Sequence, residues 1–221
     1  MTRPSDPSER GVSLIVVLLI LVVVSVLGVG GAQIALMAER GSRNDRDMQV
    51  AWQAAEAALM DAEFDIHGPN TAAASRNSTF YERHDTDVFV TGCGTSASTN
   101  PTAKAEEKNR GLCQLPLTGK PAWLTVDFTL DSATNAPTTA FGTFTGRSFA
   151  SVAVGGTALG VQPAKAPRYV IEPIPDILER EAGVAGKAAA NKLPRFIYRV
   201  TAMGFGPRAD IQAINQILYR D

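Results

Sequence analysis

Histidine and cysteine are scarce in this 221-residue chain, at two each, and one long stretch has no charge at all. With only His67 and His84 to draw on, a histidine-based triad or a two-histidine zinc helix has almost no material. No CxxC pair or neighbouring histidine completes a metal site around Cys93 and Cys113. His84, Asp85 and Asp87 sit close together, but a solvated polar loop explains them more simply than a cation site. The balance of 21 basic against 22 acidic side chains excludes the basic footprint of a general nucleic-acid binder and the acidic excess of a disordered tail. Gly204-Phe205-Gly206 does not continue into a Gly-x-Gly-x-x-Gly loop, so it reads as a hairpin turn and not as a dinucleotide site. No cofactor, metal or catalytic constellation is indicated.

The uncharged stretch lies between Arg10 and Glu39, and within residues 12–38 it holds 21 Ala, Val, Ile, Leu or Met among 27 positions. Without it, the remaining 194 residues are roughly 40% hydrophobic, ordinary for a soluble domain. About 20 apolar residues at 1.5 Å each cover the ~30 Å hydrocarbon core of a bilayer, so the block is long enough to span one. Three readings of it are open. A secretory signal would be cut after Gly30 and Ala32, ahead of Gln33, but Asp6 and Glu9 beside Arg3 and Arg10 fit that poorly. A plain single-pass anchor is consistent with the hydropathy. The third reading comes from Glu9-Arg10-Gly11 followed at once by Val12-Ser13-Leu14-Ile15-Val16, which has the form of a prepilin leader ending in glycine before a hydrophobic helix.

No proline occurs between Pro7 and Pro69, and helical periodicity continues past the apolar block. Met48, Trp52, Ala55 and Leu59 recur at helical spacing, predicting one buried face. Glu39, Arg40, Arg43, Asp45, Arg46, Asp47, Glu56 and Asp61 are expected opposite, with His67-Gly68-Pro69-Asn70 as the stop. A helix over residues 12–65 would run ~80 Å, more than a signal-anchored enzyme needs. Gly28, Gly30 and Gly31 inside it mark either a point of flexibility or close helix packing.

Beyond the helix, strands are expected at residues 87–90, 122–130, 147–154 and 168–172, the last ended by Pro173 and Pro175. Residues 176–182 read as a helical turn or two and 183–192 as a linker or loop. Phe196, Tyr198, Val200 and Ala202 alternate with Ile197, Arg199, Thr201 and Met203, and residues 211–219 return as a final strand of uncertain register. Trp52 and Trp123 are expected in the core. The fold class is α+β, a long N-terminal helix packed on a mostly antiparallel sheet. Its divisions are a leader at 1–11, an apolar helical half at 12–38, an amphipathic half at 39–66 and a β-sheet domain at 67–221. Cys93 and Cys113 are the whole cysteine complement, and a disulfide in an oxidising compartment would close a loop worth ~3 kcal/mol. The alternative is two free thiols in a cytosolic domain.

Several segments resemble the PilX family of type IV minor pilins, in order and over nearly the whole chain. They are Arg10-Gly11-Val12-Ser13-Leu14, Glu39-Arg40, Asn44-Asp45-Arg46-Asp47 and, most specific, Gln53-Ala54-Ala55-Glu56-Ala57-Ala58-Leu59. Gly111-Leu112-Cys113, Pro167-Arg168-Tyr169-Val170-Ile171-Glu172 and Tyr198-Arg199-Val200-Thr201-Ala202 with Gly204 continue the series. The resemblance implies a pilin-like fold, cleavage between Gly11 and Val12 by prepilin peptidase, methylation of the Val12 amine, and passage from the inner membrane, with the C-terminal domain periplasmic, to the pilus tip. Implied partners are other minor pilins, the major pilin and a tip adhesin, with no direct nucleic acid. One departure stands out: major pilins carry glutamate as the fifth mature residue, where this chain has Val16. A pseudopilin of a type II secretion system and a secreted or anchored periplasmic enzyme are the competing functional readings.

Overall fold

The computed structural model describes residues 12–68, 75–77, 80, 88–94, 109–116, 118–131, 136–151, 160–176 and 196–220. Two units, Met1–Arg46 and Asp47–Asp221, meet within the first helix, α1 (Val12–His67). The helix continues unbroken through Gly28, Gly30 and Gly31, where an added Cβ would meet nothing within 4 Å. Its stop is a glycine cap: Gly68 adopts φ 80° and donates its N–H to the Phe64 carbonyl at 2.9 Å, a conformation a side chain would oppose.

In the second unit, α1 lies on a four-stranded antiparallel meander of β1 (Thr139–Ala140), β2 (Arg168–Pro175), β3 (Phe196–Phe205) and β4 (Gln212–Arg220), in that spatial order. The alternation predicted for β3 places Tyr198, Val200 and Ala202 against the helix, with Tyr169 and Ile171 of β2 beside them and Ala58, Leu59, Ala62 and Ile66 of α1 above. Phe80 closes this core edge-on to both Phe89 and Tyr198, and Phe89 stacks on Tyr198. The opposite face holds a second core of Val170, Met203, Phe205, Phe128, Cys93 and Cys113. The register of β4 pairs Ala202 with Asn215 and Val200 with Ile217, so Ala213 and Asn215 are buried while Ile214 and Leu218 face outward.

Four strand expectations need correction. Residues 122–130 form a short 3-10 turn, Ala122–Leu124, and then irregular chain. Pro121 leads into it, and Asp127 bends the chain again by accepting bonds from the Thr129 N–H at 2.8 Å and hydroxyl at 2.6 Å. The apolar alternation there serves packing, since Ala122, Trp123, Val126 and Phe128 turn onto the second core. Residues 147–151 have no strand partner among the described residues.

The strand predicted to end before Pro173 runs on through Pro175, paired with Tyr198 and Phe196. The Ile171 N–H and carbonyl bond Gly111 and Cys113 on the outer edge of β2. Pro173 and Pro175 share that parity, so their missing N–H groups point away from the β3 ladder. Residues 88–89 are irregular and Val90 makes only an isolated bridge, to Cys113. The expectations for residues 177–182 and 183–192 fall outside the described residues, as do the positions of His84, Asp85 and Asp87.

Candidate functional site

The first unit is a helix without a core of its own. From Leu14 to Met37 every large apolar side chain is exposed, and none of its most apolar window is buried. It is long and apolar enough to cross a membrane, and Ser25 bonds back to the Leu21 carbonyl at 2.7 Å, hiding its hydroxyl within the helix. Charges return at Glu39, which pairs with Arg43 one turn on. Gly11 lies outside the described residues, Val12 is the first helical residue, and Val16 sits half-exposed in the apolar run.

In the second unit the face of α1 that meets the sheet is built from alanine. Ala51, Ala54, Ala55, Ala58 and Ala62 are all buried, while Met48 and Trp52 are 44% and 49% exposed. The stripe predicted from Met48 and Trp52 is therefore rotated, and Trp52 is not a core residue; Trp123 is partly buried against the second core. The reason is the distance between backbones. A Cβ built on Gly204 would stand 2.0 Å from the Ala51 carbonyl oxygen and 2.3 Å from the Ala55 nitrogen, so β3 touches the helix backbone itself. Only small side chains fit such an approach. Within Gln53-Ala54-Ala55-Glu56-Ala57-Ala58-Leu59, the small residues allow this contact, and Glu56 accepts a 2.6 Å bond from the Asn215 amide of β4.

Two helix carboxylates anchor the domain's loops. Asp65 is fully buried and receives both Arg76 Nε, at 3.0 Å, and Arg76 Nη2, at 2.6 Å, together with the Tyr169 hydroxyl at 2.8 Å. Arg76 also donates to the Arg110 carbonyl at 2.7 Å and lies 3.7 Å from the Phe144 ring centroid. Burial, with the negative charge of Asp65, holds the Tyr169 hydroxyl well above its ordinary pKa, so it remains a donor. Asp61, expected on the solvent side, is instead fully buried. It accepts the Gly142 N–H at 2.7 Å and the Thr145 hydroxyl at 2.6 Å, with Arg147 at 3.8 Å. A sequence signal existed: Ala54, Ala58, Asp61 and Asp65 follow one another at four, three and four residues, a single helical stripe.

Elsewhere, Glu172 on β2 receives Arg199 and the Ala122 N–H, each at 3.0 Å. Arg168 is lowered to about 10, chiefly by burial, and donates to the Thr138 hydroxyl and carbonyl, each at 2.6 Å. Cys93 and Cys113 form a disulfide within the second core, fastening residues 88–94 to the segment that edges β2.

These contacts hold a scaffold together, and none presents a nucleophile beside a base. What the molecule offers is a helix with one half uncovered and the other half locked to its sheet. The PilX N-terminal family pattern matches residues 10–59, and that of the type IV pilus assembly protein PilX C-terminal family matches residues 40–221. The chain belongs to the PilX family. No curated protein and no solved structure matches significantly. The PilX matches overlap across residues 40–59, where the alanine face and Glu56 dock the helix on β3 and β4. PilX pilins are structural components of the type IV pilus apparatus and act with its other subunits, and the exposed apolar helix fits membrane anchoring.

Proposed function

We propose that this protein is a minor pilin that primes type IV pilus assembly within a complex at the filament tip, and so supports twitching motility and adhesion. It begins in the inner membrane with residues 67–221 in the periplasm. Prepilin peptidase cuts between Gly11 and Val12, and the new Val12 amine is methylated. The apolar half of the helix then packs with those of other minor pilins and the major pilin, the domain remaining free to meet a tip adhesin.

The observation that carries this reading is Val16 inside an uncharged, uncovered helix. A mature N-terminal ammonium buried among apolar helices is costly unless a carboxylate compensates it. A glutamate at the fifth mature position does this for the neighbouring subunit, and valine cannot. A subunit lacking that acid suits the top of the filament, where it has no earlier partner to neutralise.

N-terminal sequencing of the protein from membranes should return Val12 as the first residue; a start at Gln33 overturns the pilin reading. Gold labelling should mark pilus ends, and even labelling along shafts overturns the tip assignment. Deletion should abolish surface pili. Lost protein secretion with pili intact would favour a pseudopilin.

A further inference from the structure

Arg147 differs from the other partly buried cations of the domain in how its charge is held. Its guanidinium carbon lies over the Phe64 ring at 4.8 Å and over the Phe141 ring at 5.4 Å, with Phe149 packed on Phe141 at 5.1 Å. Both rings lie within cation–π distance of the group. Its side chain is still 40% exposed, and its one ion-pair partner among the described residues, Asp61, stands at 3.8 Å, beyond hydrogen-bond distance. Asp61 is already bonded to Gly142 and Thr145. Among the described residues, no acceptor takes a hydrogen bond from the guanidinium. Arg76 and Arg168, by contrast, are buried and bonded to oxygen acceptors.

On its helix side Arg147 borders exposed apolar side chains. Phe64 is 36% exposed, and Met60, one turn earlier on the same helix face, is 54% exposed. A flat guanidinium with open donors, rimmed by a methionine and aromatic rings, is complementary to a planar carboxylate on an apolar neighbour. Arginine binds such a group with two parallel bonds. A phosphate or a lipid headgroup would satisfy the charge but would leave Met60 and Phe64 uncovered.

We propose that Arg147, Phe64 and Met60 form a docking surface for an acidic side chain on another pilin subunit. This rests on the pilin reading above and names the chemistry of one of its contacts. The partner supplies an aspartate or glutamate flanked by apolar residues, the acid meeting Arg147 and the apolar flank covering Met60 and Phe64.

The test uses the full-length protein in cells that make the complete pilus apparatus. A photo-cross-linking amino acid replaces Met60 in one strain and Val22 in another, and adducts are identified by peptide mass spectrometry. The expected Met60 adduct joins another pilin subunit within a few residues of an acid. Arg147→Glu should cut its yield about tenfold, and Arg147→Lys, which keeps the charge but loses the fork, about twofold. Thermal unfolding of the Arg147→Lys protein should match the parent, separating docking from folding.

If Val22 yields pilin adducts while Met60 yields none, or joins a site with no acid, the docking surface is wrong and the pilin reading stands. If neither position reaches a pilin, both fail. An Arg147→Glu protein that folds and cross-links at parental yield also overturns the proposal.

Discussion

Asp61 and Asp65 occupy adjacent turns of one helix, yet their charges are handled differently. Asp65 faces a buried arginine and a tyrosine hydroxyl, whereas Asp61 has two hydrogen-bond donors and a more distant, half-exposed Arg147. Burial raises the Asp61 carboxyl above 3.8, outweighing the bonds from Gly142 and Thr145. A carboxyl that holds its proton more tightly when folded adds stability below its unfolded pKa, and that contribution disappears as pH rises through the folded value. Relative to Asp61→Asn, the native chain should therefore lose stability as pH climbs from 3.8, then level off. Thermal melts of both proteins between about pH 3 and 7 check this, and parallel curves would refute it. The helical stripe shared with Ala54 and Ala58 was a sign of burial, but Asp61 was expected on the solvent side and the stripe alone did not decide it. The partners of the two acids were not legible, because Gly142 and Tyr169 lie 81 and 104 residues away from them in sequence.

For the helix as an element, the spacing of Met48, Trp52, Ala55 and Leu59 gave the right period, but only Ala55 and Leu59 of the four are buried, the contact face being rotated away from Met48 and Trp52. Hydrophobic mass normally turns inward, but here the contact with β3 is too close for it. Gly204→Ala places a methyl against the helix backbone, which cannot yield as a side chain would, and should cost about 2–4 kcal/mol. Trp52→Ala should cost under about 1 kcal/mol, since half of the indole is in solvent. Urea titration of the two variants gives the comparison. Trp52 as the costlier loss would restore the Met48–Trp52 face. The same limit applies to the strands: alternation identified β3, and a weaker pattern β4, but strands were also expected at residues 122–130 and 147–154, and the described parts, 122–130 and 147–151, form no ladder.

At the scale of the whole molecule, the sheet domain is stabilised on both faces, by α1 on one and by the disulfide core on the other. The disulfide spans 20 residues and joins segments that contribute only isolated bridges to the sheet. On the chain-entropy account its removal should cost about 3 kcal/mol. A Cys93→Ser, Cys113→Ser double variant should show that loss in urea. Because Trp123 packs against the core that holds the disulfide, its fluorescence should change with the outer layer, before helix-side signals. Loss of both signals together would mean that the two faces unfold as one unit.

The sequence by itself determined what depends on neighbours along the chain. The charge-free block required an apolar helix, Gly68 and Pro69 its end, the period-two runs the two long strands, and the ordered segments the PilX family. Only the tertiary structure decided which face of that helix is buried, that prolines could sit within β2, and that Asp61 and Asp65 lie inside. Each of those outcomes depends on a group far away in sequence: the bare backbone of Gly204, the outer edge of β2, the donors from Gly142, Arg76 and Tyr169. Local patterning sets the period of an element, but the free energy of burying a polar group is fixed by the partner that reaches it.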